Sequence, residues 1–237
     1  MNLIIMNSPK NNGFYTIRKI SCLALGWLFF WSVAAQESEY GFIANVTLRK
    51  TFNPWVELMM QQNVWWKNST NGYERYMPVL GFDFTLIKSR LKLNAHYYYL
   101  NQRDTKGKTY NRHRYHLGLT GYQNIGPVSA ALFSRLESTY TIGSKDNPLD
   151  KWRNRFQFTY NIPDSRWKPY LWIDFFNFLN KKGAHCMELD QIWYFTGVEY
   201  KINAHNAIDL RYRFHHVISS NPHTLTSLFC IYYKIKL

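Results

Sequence analysis

Between Leu149 and Tyr160 the chain reads L-D-K-W-R-N-R-F-Q-F-T-Y. Side chains on a β-strand alternate between its two faces. Trp152, Phe156, Phe158 and Tyr160 therefore share one face of this stretch, and Arg153, Arg155, Gln157 and Thr159 share the other. The same split returns along the chain. Leu80, Phe82 and Leu86 oppose Arg75 and Asp83, and Leu117 and Leu119 oppose Arg112, Arg114 and His116. Leu132 and Leu136 oppose Arg135 and Glu137, Ile173 and Phe175 alternate with Asp174, and Leu210 and Phe214 alternate with Asp209, Arg211 and Arg213.

A soluble half-buried sheet alternates too, but here the pattern recurs from Tyr40 to the C-terminus. Apolar-out, polar-in alternation carried through that many segments is the sequence signature of a transmembrane β-barrel. The expected fold is all-β, an antiparallel up-and-down barrel in a membrane. Eleven strand-like segments can be marked from Tyr40 to Leu237, each near or slightly above the 9 to 11 residues of a tilted spanning strand. Turn residues separate them, short near Thr51, Lys88, Ile125, Pro163 and Asn203 and longer in between, as expected of periplasmic turns and external loops. Bacterial single-chain barrels have even strand numbers, so ten strands are expected, with twelve as the alternative.

The N-terminus departs from the alternation. Arg18 and Lys19 precede an apolar run from Ile20 to Phe30, followed by Ser32, Val33, Ala34 and Ala35. A basic lead, a short apolar core and small residues make a secretory signal peptide. Residues 1–35 are therefore expected to be removed and residues 36–237 to form the barrel. Cys22 lies at the beginning of the apolar run rather than after it, which argues against lipoprotein processing.

The chain has 237 residues, 18% aromatic, with a formal charge of +14. Loss of Lys10, Arg18 and Lys19 with the signal leaves about +11 on the mature chain. For an exported barrel the fitting acidic partner is lipopolysaccharide of the outer membrane rather than nucleic acid. The apolar C-terminal Leu237 suits recognition by the outer-membrane assembly machinery, and a monomer located in the cell outer membrane is expected. Cys186 falls in a loop and Cys230 in the last strand, a poor placement for a disulfide.

Four short motifs carry a family resemblance: Glu199-Tyr200-Lys201-Ile202, its echo Tyr232-Tyr233-Lys234-Ile235, Trp152-Arg153-Asn154-Arg155, and Lys168-Pro169-Tyr170. With these the chain resembles, from about Tyr40 onward, an outer-membrane barrel family of Bacteroidota known as domain of unknown function 2490. The resemblance implies a small membrane barrel and assigns no catalytic residue.

The candidate site is the charged inner face. It comprises Arg75, Asp83, Lys92, Arg112, Arg114, Arg135, Glu137, Arg153, Arg155, Asp174, Glu199, Asp209, Arg211 and Arg213, with Glu57 beside them. Rings of Arg or Lys favour anions in a pore, whereas guanidinium–carboxylate forks make a rigid filled wall. Barrels of about eight strands are filled by side chains, and water-filled channels need about 16 to 18. Ten or twelve strands lie nearer the filled limit, so a structural network or a narrow anion conduit is expected. An outer-membrane lipid hydrolase is the alternative. It needs a serine, a base and an orienting group, on the outer wall where lipid is. His96, His116 and His215 point inward, which leaves His216 with Ser134 or Ser138. His185 and Cys186 have no spaced partners for zinc, and no cofactor or metal is expected.

Overall fold

The computed structural model describes residues 38–70 and 72–237. The expected signal peptide lies outside the described residues. The strands are Ser38–Asn53 (β1), Val56–Lys67 (β2), Tyr73–Ile87 (β3), Leu91–Arg103 (β4), Thr109–Ile125 (β5), Val128–Thr141 (β6), Leu149–Tyr160 (β7), Trp167–Phe178 (β8), Leu189–Lys201 (β9), Asn206–Val217 (β10) and Thr224–Lys236 (β11). Each pairs with its sequence neighbours in antiparallel register, and β11 closes on β1.

The barrel has eleven strands among the described residues, which corrects the expectation of ten or twelve. The physical reason lies at the closure. In an up-and-down series of eleven, the first and last strands run the same way, so the seam between them must be parallel. The contacts obey that rule. The Thr226 hydroxyl donates to Glu39 Oε2, 187 residues apart. Gly41 sits against Leu228, and Leu237 donates to the Arg49 carbonyl and accepts from the Thr51 amide. Thr226, Leu228 and Leu237 thus align with residues 39, 41 and 50, a constant offset rather than the constant sum of an antiparallel pair. Even strand number is needed only if every neighbouring pair is antiparallel.

Connections of two to six residues lie at one end of the barrel and connections of five to ten at the other. Two connections have only two residues, Pro54 and Trp55 between β1 and β2 and the hairpin of Gly126 and Pro127 between β5 and β6. Gly126 has φ +58°, and glycine first in a two-residue loop matches the twist of the flanking strands.

Polarity is inverted relative to a soluble protein. Phe156 is 48% exposed and Leu117 55% exposed on the outer wall, while Asp174 and Asp209 are fully buried and Arg153 is 8% exposed inside. Among the described residues, buried apolar side chains of the interior gather in three clusters. The largest joins Ile43, Trp65, Leu228, Cys230 and Tyr232 beside the seam. Another stacks Tyr170, Trp172 and Phe195. Cys186 is an exposed free thiol and Cys230 a buried one.

Candidate functional site

Alternation delivers the charges to the lumen, and antiparallel register then places like charges directly opposite one another on adjacent strands. Glu57 faces Asp83, Arg135 faces Arg153, and Glu199 faces Asp209. Like charges in opposed positions are destabilising. In each case a residue of opposite charge is inserted between them. Arg49 binds Glu57 and reaches Asp83 at 2.9 Å. Lys234 lies 2.7 Å from Glu199 and 2.6 Å from Asp209. Glu137 accepts from Arg153 at 3.1 Å and lies 3.8 Å from Arg135. The lumen is thereby organised as three clamped triads.

The triads extend into a network. Asp174, opposite Arg155 in register, accepts from Arg155 at 2.6 and 3.0 Å and from Arg153 at 2.5 Å. Asp209 accepts from Arg211 and from the Tyr170 hydroxyl. Asp83 also takes Asn94 at 2.6 Å and contacts His96 at 2.9 Å. Arg114 bonds Thr139 at 2.9 Å and approaches Glu137 at 4.0 Å. Two lumen-facing glycines make the room. A Cβ on Gly197 would fall 2.6 Å from the Tyr170 hydroxyl, and one on Gly118 would fall 2.3 Å from Arg135 Cβ.

Aromatic rings separate the guanidiniums that carboxylates do not. Arg153 and Arg213 share Trp193, at 4.9 and 3.9 Å from its centroid. Arg155 and Arg211 share Trp172, at 4.5 and 4.9 Å. Arg75 and Arg213 share Trp65, at 4.5 and 4.6 Å. The His215 ring stacks on Trp193 at 4.2 Å and 8°.

Of the residues expected to form the site, Asp83, Glu137, Arg153, Arg155, Asp174, Glu199, Asp209 and Arg211 are joined by carboxylate bonds to basic partners. Arg75 is likewise paired, with Glu74 at 2.9 Å, an acid outside the expected set. Arg112 and Arg213 make no hydrogen bond or ion pair among the described residues.

Arg49, Lys151 and Lys234 belong to the network and have inward phase, so alternation alone identifies them. Glu74 and Asp190 do not. Each is the extra residue of a β-bulge, Glu74 where Trp65 and Trp66 pair with Arg75 and Tyr73, and Asp190 where Phe176 and Asn177 pair with Gln191 and Leu189. A bulge reverses the local phase, which turns both acids inward. They are 3% and 4% exposed, and Asp190 holds Lys151 at 2.5 Å.

Two cavities open in the lumen among the described residues. One, of about 680 Å³, reaches the short-turn end at Asn203, Ala204 and His205, and its lining includes twelve Arg or Lys against two carboxylates. The other, of about 790 Å³, reaches the long-loop end at Ser144, Asp146 and Lys182. They meet at a layer formed by Trp65, Arg75, Arg114 and Trp193, which line both.

On the outer wall, His216 contacts His223 at 3.2 Å and stands on β10, away from Ser134 and Ser138 on β6. It is not the lone outward histidine. His113 also faces out, 2.7 Å from the Tyr97 hydroxyl and beside a 530 Å³ groove lined by Tyr115, Ser138 and Tyr140. The preceding inward run of Arg112, Arg114 and His116 has even numbers, so the phase of His113 was readable. Ser138 donates to Asp150 at 2.6 Å and Ser134 accepts from Trp152 at 2.8 Å. No serine hydroxyl bonds a histidine among the described residues.

Apolar wall, closed hydrogen-bonded sheet and charged interior together define a β-barrel whose lumen is an electrostatic network with a cationic chamber. Residues 41–226 match the family described as protein of unknown function DUF2490, and the chain belongs to that family. No curated protein matches it.

Proposed function

We propose that the protein spans the outer membrane and serves as a narrow conduit for small anions. The observation that carries this reading is the pairing of an apolar outer wall with an inner chamber lined by twelve basic side chains and two acidic ones. Basic linings lower the energy of anions and raise that of cations in a constriction. The apolar wall needs a hydrocarbon surround, and the closed sheet leaves no edge unpaired in it. The Arg–carboxylate network serves this function by holding the walls rigid, and passage runs through the Trp65–Arg75–Arg114–Trp193 layer that lines both cavities.

The test is the reversal potential of the refolded full barrel in a planar bilayer under a potassium chloride gradient. A potential of the sign set by chloride supports the conduit. Electrically silent insertion, or cation preference, overturns it and leaves the network a purely structural one.

A further inference from the structure

The basic residues of the short-turn chamber are not equally matched. Arg153 and Arg155 hold Asp174, and Arg211 and Lys234 hold Asp209. Arg213 holds nothing. It is 4% exposed, lies among Trp65, Trp193 and Phe195, and its Nε is a buried donor without an acceptor. Aromatic stacking partly offsets the loss of hydration, but it satisfies the faces of the guanidinium and not its in-plane N–H groups. Arg135 is only loosely held, with its Nη1 3.5 Å from His116 Nδ1. Its Nε lies 3.8 Å from Glu137 and has no hydrogen bond, while Glu137 is engaged by Arg153.

The neighbouring indoles repeat the deficit. Trp65 Nε1 and Trp172 Nε1 are buried donors without acceptors, and Arg153 Nε is another. All of these residues line the 680 Å³ chamber. The atoms just named are all donors short of an acceptor, one on Arg213, which has no carboxylate, and one on Arg135, which shares Glu137 with Arg153. A buried unpaired charge is strongly unfavourable, so the complement must bring both negative charge and acceptor oxygens.

We infer that the chamber is a binding site for a small molecule bearing two oxyanion groups, phosphoryl or carboxylate, with Arg213 and Arg135 as its principal ligands. Guanidinium forks match both kinds of group in paired hydrogen bonds, and a chamber of this volume is within the range of small-ligand sites. The inference deepens the anion-conduit reading and rests on it for the route by which the ligand enters. It makes polyvalent oxyanions the more tightly held occupants of a conduit that also passes chloride.

The experiment is calorimetric titration of the refolded full-length barrel with pyrophosphate and, separately, with citrate, in chloride buffer. Saturable binding of at least one is expected, weakened at least tenfold in Arg213→Met and less in Arg213→Lys. Lys182→Ala, at the opposite mouth, is expected to bind as the wild type does. The ligand should also raise the unfolding midpoint of the wild type and not that of Arg213→Met. Which of the two anions binds distinguishes a phosphoryl from a carboxylate ligand. Absence of saturable binding by both, or binding unchanged in Arg213→Met, overturns the inference. Should that variant not fold, Arg135→Met is read by the same criteria. Calorimetry does not depend on conduction. A silent barrel that binds refutes only the conduit, and a chloride-selective barrel that does not bind refutes only the site.

Discussion

Asp174→Asn is the sharpest probe of the lumen. Asp174 is fully buried and accepts three short bonds from two guanidiniums. Asparagine keeps the volume, so no cavity opens. It loses the charge and presents an NH₂ donor to guanidinium donors, so no more than one side of the fork can be retained. Arg153 would still have Glu137 at 3.1 Å, but Arg155 would be left with no carboxylate. Removing one partner of a buried ion pair costs about 3–5 kcal/mol, mostly from the charge left behind. Because Arg155 keeps its stacking on Trp172, about 3 kcal/mol is the expected loss. With a urea dependence of about 1–3 kcal/mol per molar, that moves the unfolding midpoint by about 1–3 M. The assay is equilibrium urea unfolding of the barrel in lipid vesicles, followed by tryptophan fluorescence. The companion variant Arg155→Met in the Asp174→Asn background should recover part of the loss, since it removes the stranded charge. A loss under about 1 kcal/mol, typical of solvent-exposed pairs, would refute the reasoning that burial of Asp174 makes its ion pairs costly to break.

Leu117→Arg, on the outward face at the middle of β5, should cost about 2–4 kcal/mol for a barrel folded into vesicles, the penalty for a lipid-facing charge near the bilayer midplane. A neutral result in the vesicle unfolding assay would contradict a lipid-facing wall. Gly197→Ala would drive a methyl into the Tyr170 ring and Arg211 Cβ; overpacking of this kind costs about 1–3 kcal/mol. Tryptophan fluorescence of the stacked Tyr170–Trp172 region should report it, and an unchanged midpoint would deny the close packing. Deleting Leu237 removes both backbone bonds that it makes to Arg49 and Thr51, worth about 1–3 kcal/mol together. Urea unfolding in vesicles measures that loss; a deletion without effect would mean that the end of the parallel seam contributes nothing to closure.

How far the sequence reaches depends on whether a feature is periodic. Alternation places Arg153 and Arg155 inside and Phe156 and Phe158 outside, and turn residues bound the strands closely: Tyr73–Ile87, Leu91–Arg103 and Leu149–Tyr160 are found where the pattern puts them. What alternation cannot supply is anything that breaks it. Glu74 and Asp190 carry outward phase and reach the lumen through bulges whose position depends on the partner strand. The parallel seam is equally non-local, since it relates residues 187 apart and shows only when the sheet closes. An even strand count follows from assuming that every pair is antiparallel, and one parallel pair removes the requirement.

The same distinction applies to the site. That Asp174 and Arg155 are both inward is visible from one strand at a time; that they bond is a matter of register between strands. Register also brings Glu57 to Asp83, Arg135 to Arg153, and Glu199 to Asp209, arrangements that would be unfavourable in any two-stranded ribbon. They become tolerable only when Arg49, Glu137 and Lys234 bridge them. Two of these clamps, Arg49 and Lys234, stand on the two strands of the parallel seam, β1 and β11. Each neutralises a pair on its own side of the seam, Arg49 on β2 and β3 and Lys234 on β9 and β10, so both edges that meet there carry balanced charge before the barrel closes. Arg213 stands outside this scheme, on β10 beside the seam strand, stacked but unmatched. A lumen that balances its other opposed charges by bridging them, yet leaves this buried guanidinium without a carboxylate, has its unmet electrostatic demand where a small anion can satisfy it.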